Sequence, residues 1–307
     1  LLYFDMKNID LLPVRNYIGL FFLSITIVLI VKIVFNMLAL GFIDGIWDLN
    51  SIQIFNDLNS KEFKFIYAHK ALAFFDQLGT FLVPSVIFLF LLKTFSLDYR
   101  TPNKVDLTKC LLYFVVLLGV AQLFLLISNY VGFEFLPIEI KNFLKEQQDF
   151  NTKIQEGFIS ESFKSFLFNI LLLSILPAIG EELFFRGILQ KICIGIFKNN
   201  IAGIGVTSLV FGMLHFQIEN LLSIIFASIL LGLIYDYSKN ILLTILLHFG
   251  FNLFSLISMQ GIKMEIISEN NLVNFSNYVI IPLGLGMLTY LIIKKIFWKK
   301  DLFLSVD

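Results

Sequence analysis

The chain has 307 residues, of which 58% are hydrophobic and only 15% charged, far from the roughly 45–50% and about 25% typical of soluble domains. Its 36 phenylalanines exclude disorder, because that much apolar surface must be buried somewhere. Lysine plus arginine equal aspartate plus glutamate at 23 each, so nothing in the charge balance points to a nucleic-acid partner.

Apolar runs near the length needed to cross a bilayer, about 20 residues, occupy 17–43, 74–92, 111–131, 166–189, 201–216, 221–237, 241–259 and 278–298, the fifth being short. They predict an all-α polytopic membrane protein of about eight transmembrane helices, a single membrane-embedded domain over 1–307. Lys7 and Arg15 before the first run and the small-x-small triplet Ala39-Leu40-Gly41 look like a secretory signal. The length of that run and Lys32 inside it fit a retained helix better. Position 1 is not methionine, and Met6 is an alternative start. The long connections 44–70 and 132–165 mix charges with Ile, Leu and Phe. They read as solvated loops capped by short helices, with amphipathic helices on the membrane surface as the alternative. No repeat, low-complexity run or soluble domain is visible.

Alternate connections differ in positive charge. Those on the side of the N-terminus hold 14 lysines and arginines, Arg186 included, against 8 on the other side, so both termini are expected in the cytoplasm. Cys110 and Cys193 then fall near the cytoplasmic edge, a reducing place, and neither is spaced for a disulfide framework or a metal.

An ionisable side chain at the bilayer centre costs about 2.5–3.5 kcal/mol or more, so such residues need a partner or a task. Lys32, Asn36, Asp76 and Asp236 are scattered near span ends or alone and read as snorkelling or helix-pairing residues. A second group gathers in the fourth, fifth and seventh runs: Glu181, Glu182 and Arg186, then His215, then His248 and Asn252. Glu182 and Arg186 stand four apart with the acid first, the favourable order for a helical ion pair. Glu181, rotated about 100°, is left without that partner and suits the task of taking a proton from water. Pro177 frees the carbonyl of Leu173 and, with Gly180, predicts a kink just before the acids. His248 and Asn252 share one helix face, where two donors can meet one oxyanion. Phe211 shares a face with His215 and can fix its ring by packing. Counting residues from the loop ends places Glu181, His215 and His248 inside the hydrocarbon.

The clusters Glu181-Glu182-Leu183-Phe184-Phe185-Arg186, Phe211-Gly212-Met213-Leu214-His215 and His248-Phe249-Gly250-Phe251-Asn252 read as EExxxR, FxxxH and HxxxN. In that order and on separate helices they resemble the CAAX protease and bacteriocin-processing family, also called Abi or type II CAAX endopeptidases, which are intramembrane proteases. The likeness covers about 166–259, the expected catalytic core. It implies an all-helical intramembrane endopeptidase in which Glu181 with His215 activates water, His248 and Asn252 hold the oxyanion, and Glu182 with Arg186 forms the supporting pair. The residues supply the same parts without the name: a base, an acid and oxyanion donors. No serine, threonine or cysteine has a corresponding placement for covalent catalysis. Metal is the open question. Glu181, His215 and His248 also make a zinc set with an open fourth position, and members of the family are often labelled metalloproteases, yet there is no HExxH; the metal-free scheme is favoured.

The implied partners are a peptide or membrane-anchored protein substrate, cleaved near the cytoplasmic leaflet, and the lipid bilayer itself. A composition rich in Phe, Ile, Lys and Asn resembles a low-GC bacterial gene. It points to a bacterial plasma membrane and away from prenylated substrates. Two other functions fit the same residues: a non-catalytic bacteriocin-immunity or scaffold protein of the same fold, and a proton-coupled transporter using Glu181 and the histidines as a relay, which would call for repeated halves or discontinuous helices.

Overall fold

A computed structural model describes residues 13–60, 63–91, 105–131, 136–160 and 162–293. The alternative start at Met6, the charged stretch 93–104 and the end of the last apolar run, 294–298, lie outside them. Among the described residues there are helices and no strand, as an apolar environment requires, since each helix satisfies its own backbone donors and acceptors.

In chain order these are α1 (Val14–Trp47), α2 (Ser51–Leu58), α3 (Ile66–Leu91), α4 (Leu107–Val131), α5 (Ile138–Phe158), α6 (Phe163–Phe197), α7 (Asn200–Leu214), α8 (Leu221–Ser238), α9 (Ile241–Lys263) and α10 (Glu269–Ile293). Seven of them, α1, α3, α4, α6, α8, α9 and α10, are long and apolar enough to cross a membrane. The eighth expected crossing, α7, has 15 residues. At 1.5 Å per residue it rises only about 22 Å, short of a hydrocarbon core of about 30 Å. α7 is thus a short apolar helix set between the spanning helices α6 and α8, and α2 and α5 lie in the connections after α1 and α4.

The connection after α4 corrects the loop reading. It holds a continuous amphipathic helix of 21 residues, α5, begun by Pro137 at its N-cap, a position where the missing amide donor is not needed. Gln148 of α5 accepts a hydrogen bond from the backbone of Glu219, and Asn169 of α6 donates to the carbonyl of Phe158, so both parts of α5 are tied to the bundle. The α2 connection does match a loop with a short helix. There Asp57 accepts from the amides of Lys64 and Phe65 and from the His69 ring at 2.8 Å. Burial opposes ionisation of Asp57, but these donors outweigh it and hold its carboxyl below the ordinary carboxylate range.

Two of the scattered polar residues find each other. Lys32 of α1 donates to Asp76 of α3 at 2.7 Å and to Thr80 at 2.9 Å, so they are a helix-pairing couple and not isolated snorkels. Asp236 accepts from Lys239 at 2.6 Å and from Asn200 at 3.1 Å, joining α8 to the start of α7. Both cysteines are free thiols.

Several helices carry π turns, at Leu78–Leu82 in α3, Leu171–Ile175 and Phe185–Leu189 in α6, and Ser276–Ile280 in α10. The first α6 turn ends two residues before Pro177, so the irregularity expected from the proline takes the form of a widened turn. Gly180 serves a different purpose from the one expected of it. A Cβ there would come within 3.1 Å of the Leu82 amide, so its bareness lets α6 lie against the π turn of α3.

The closest helix crossing is α4 on α10 at Gly119 and Gly284, where a Cβ on Gly119 would stand 2.5 Å from the Gly284 Cα. Without a hydrophobic drive between helices in lipid, such close backbone contact supplies the packing energy. Gly119→Ala should therefore cost about 1–3 kcal/mol by overpacking, seen as a lowered unfolding temperature in detergent. Gly41→Ala, with nothing within 4 Å of its added carbon, should leave the melt unchanged; equal behaviour of the two variants would contradict this crossing.

Candidate active site

The site lies where α6, α7, α8 and α9 meet. Between its two π turns α6 runs as a nine-residue segment, Leu176–Phe184, which presents Glu181 and Glu182 on adjacent faces. Glu182 and Arg186 are completely buried, and the Arg186 Nε stands 3.3 Å from Glu182 Oε2, the pairing expected from their spacing. The same arginine reaches the backbone carbonyl of Ser228 at 3.3 Å and its hydroxyl at 3.2 Å. Its guanidinium lies 5.2 Å from the Phe211 ring centroid, a cation–π contact in dry surroundings.

The other oxygen of Glu182 meets His248 Nδ1 at 3.0 Å. A carboxylate accepts only, so Nδ1 carries the proton and donates. The opposite ring nitrogen, Nε2, points at Glu181, 3.8 Å from Oε2. His215 has the same orientation from another helix: Nδ1 lies 2.7 Å from the Phe211 carbonyl, which again can only accept, and Nε2 lies 3.9 Å from the same Glu181 oxygen. The Phe211 ring packs at 4.5 Å from the His215 ring and 6.0 Å from that of His248. Thus one carboxylate oxygen and two imidazole nitrogens from three helices converge, at separations too long for direct hydrogen bonds.

His215 is not inside a helix, as the apolar run suggested. It is the C-cap of α7, followed by Phe216 at φ 50°, the left-handed conformation that turns the chain back toward α8. Non-helical backbone at membrane depth is tolerated where it lines a cavity, and here it does. A cavity of about 510 Å³ is bounded by Glu181, His215, His248 and Asn252 at one end and by Thr152 and Gln155 of α5 toward the other. Asn252, one turn beyond His248, lines the wall but bonds to neither histidine. The α5 residues Thr152 and Gln155 make that helix part of the cavity wall. Sequence reasoning missed Ser228, which anchors Arg186, and the α5 glutamine and threonine. A lone serine in an apolar run gives no signal, whereas Gln77, another lining residue, was visible as a polar side chain within a span.

Among the described residues no group of three or more His, Cys, Asp or Glu is arranged to hold a metal ion.

Residues 163–254 match the family model described as type II CAAX prenyl endopeptidase Rce1-like, the family that the motifs resemble. The match takes in all three motif clusters and covers less than a third of the chain. No curated protein and no solved structure matches the chain significantly.

Removing one partner of a buried ion pair leaves an uncompensated charge, a loss of about 3–5 kcal/mol. Arg186→Met should destabilise the chain by that order, and Glu182→Gln added to it should recover a large part, as measured by thermal unfolding in detergent. A neutral single variant would show that the pair carries no such weight.

Proposed function

We propose that the chain is an intramembrane endopeptidase in which Glu181 and His215 activate a water against a peptide carbonyl while His248 and Asn252 hold the oxyanion. The observation that carries this reading is the convergence of two histidine Nε2 atoms on a single Glu181 oxygen at the end of a cavity within apolar helices.

Hydrogen-bond chemistry assigns the two histidines different tasks. His215 gives its Nδ1 proton to a carbonyl, so the neutral ring has a free lone pair on Nε2 facing Glu181. That nitrogen and the carboxylate can share a water between them and take its proton as the oxygen attacks. His248 also commits its Nδ1 proton, to Glu182, so it can donate from Nε2 only as the imidazolium. In that form Arg186 and His248 face Glu181 and Glu182, two cations against two carboxylates. His248 Nε2–H and the Asn252 amide then stabilise the tetrahedral oxygen. The proton held by Glu181 and His215 passes to the leaving amine, so no covalent intermediate and no metal step is needed. The substrate is a peptide or membrane-anchored protein that reaches the cavity beneath α5.

General-base removal costs about 10²–10⁴-fold in rate. Glu181→Gln should abolish cleavage of a quenched-fluorescent peptide library by the purified chain in nanodiscs at an unchanged melting temperature, and the wild type should turn over in EDTA with sub-stoichiometric zinc by elemental analysis. Turnover that survives the substitution sinks the peptidase reading and favours the immunity or scaffold role. Turnover lost to EDTA and restored by zinc sinks the metal-free scheme.

Orientation follows from charge. Arg186 is buried within α6 and drops out of the count, yet the excess of lysine and arginine on the side of the termini persists. Taking α7 as an eighth pass, we propose that the cavity, lined by α5, opens on the side opposite cytoplasmic termini, so that cleavage occurs on the outer side and not near the cytoplasmic leaflet. A C-terminal fluorescent-protein fusion should therefore be bright and an alkaline phosphatase fusion inactive, with the reverse pattern overturning this placement.

A further inference from the structure

On the α5 face, beside the catalytic cavity, two more cavities meet at Lys70. One, of about 620 Å³, is an aromatic slot between α1, α3 and α6, walled by Phe42, Trp47, Phe74, Phe75 and Phe168. The other, of about 400 Å³, gathers Lys70, Lys153 and Lys263. Tyr67, Lys70 and Ser165 line both, so the two adjoin along a shared wall.

The lysines are held in place by groups that carry no charge. Lys70, only 3% exposed, donates to the Ser165 hydroxyl at 2.6 Å and lies 5.7 Å from the Phe158 ring centroid. Lys153 donates to the carbonyls of Leu58 and Ser60, and Lys263 to the Glu156 carbonyl at 2.6 Å. Among the described residues none of the three has a carboxylate at ion-pair distance, although the Glu156 side chain also lines the cavity. With Lys164 at the slot, four ammonium groups against the one carboxylate of Glu156 leave an excess of positive charge, beside the interfacial residue types Trp47 and Tyr67.

We propose that the adjoining cavities hold one anionic phospholipid, its phosphate among Lys70, Lys153 and Lys263 and an acyl chain in the aromatic slot. Basic pockets between membrane helices suit acidic headgroups, and the slot supplies the apolar contact that a free phosphate could not use. A zwitterionic lipid would add its own cation to a site already in positive excess. Because α5 lines this site through Lys153 and the catalytic cavity through Thr152 and Gln155, the lipid would brace α5 over the mouth. The proposal does not depend on the peptidase reading.

The test uses the full-length chain in detergent, titrated with phosphatidylglycerol, phosphatidylcholine or inorganic phosphate, with adducts read by native mass spectrometry and melting followed in parallel. Phosphatidylglycerol alone should be retained and raise the melting temperature. Each surface lysine contributes about one decade-fraction of affinity, roughly fivefold, so Lys153→Gln and Lys263→Gln should each weaken retention by about that factor, while Lys153→Arg should keep it. Should the glutamine variants not fold, Lys164→Gln, an exposed side chain lining the slot, should show a loss of the same order. Equal retention of phosphatidylcholine, an equal melting shift from inorganic phosphate, or unchanged retention in the folded variants would overturn it.

Discussion

A guanidinium and a carboxylate, both stripped entirely of water, are expensive to bury and more expensive to separate. That constraint, set by Glu182 and Arg186, fixes the centre of this molecule. Two further hydrogen-bonding directions of the pair are met from neighbouring helices. Ser228 on α8 meets one from the arginine, and His248 on α9 meets one from the carboxylate. The pair therefore couples three helices, and it aims the His248 ring in doing so. Stability and alignment come from the same contacts, so this ion pair cannot be relaxed without moving the imidazole.

The second constraint is length. Had α7 spanned the full bilayer, His215 would lie one turn into a continuous helix, its ring rotated by whatever the helix phase dictated. Because α7 stops at Leu214, His215 caps the helix and is held by the carbonyl of Phe211 and the face of its ring. The backbone that follows must turn at depth, and α5 closes over that turn through Gln148. A short helix thus creates both the histidine's position and the need for a cover.

Much of this was legible in the sequence for a simple physical reason: hydropathy and helical spacing are local. The apolar runs located the seven spanning helices and the short α7, and the four-residue steps from Glu182 to Arg186 and from His248 to Asn252 gave pairs that share a face. What was not legible is non-local or context-dependent. Spacing gave no hint that Lys32 would meet Asp76, 44 positions later. Nor did it separate an amphipathic helix such as α5 from a loop, because its charges and apolar residues fit both. Gly180 looked like a hinge, but only the neighbouring helix reveals that it is a contact surface. Arg186 was counted as a loop cation because an arginine near a span end normally is one.

The two adjacent glutamates illustrate how one motif yields two chemical states. A rotation of about 100° around a helix sends Glu182 into the interior, fully buried beside Arg186 and His248, and sends Glu181 to the cavity wall, where its Oε2 faces both histidine Nε2 atoms. The same logic divides the histidines. Both present Nε2 to Glu181 at nearly the same distance, although His215 is the more exposed. The difference lies behind the rings: a neutral carbonyl accepts from Nδ1 of His215, whereas a carboxylate accepts from Nδ1 of His248. In the proposed chemistry an acceptor and a donor are required on opposite sides of one carbonyl. Two copies of the same side chain can fill both roles because their second nitrogens have partners of different charge.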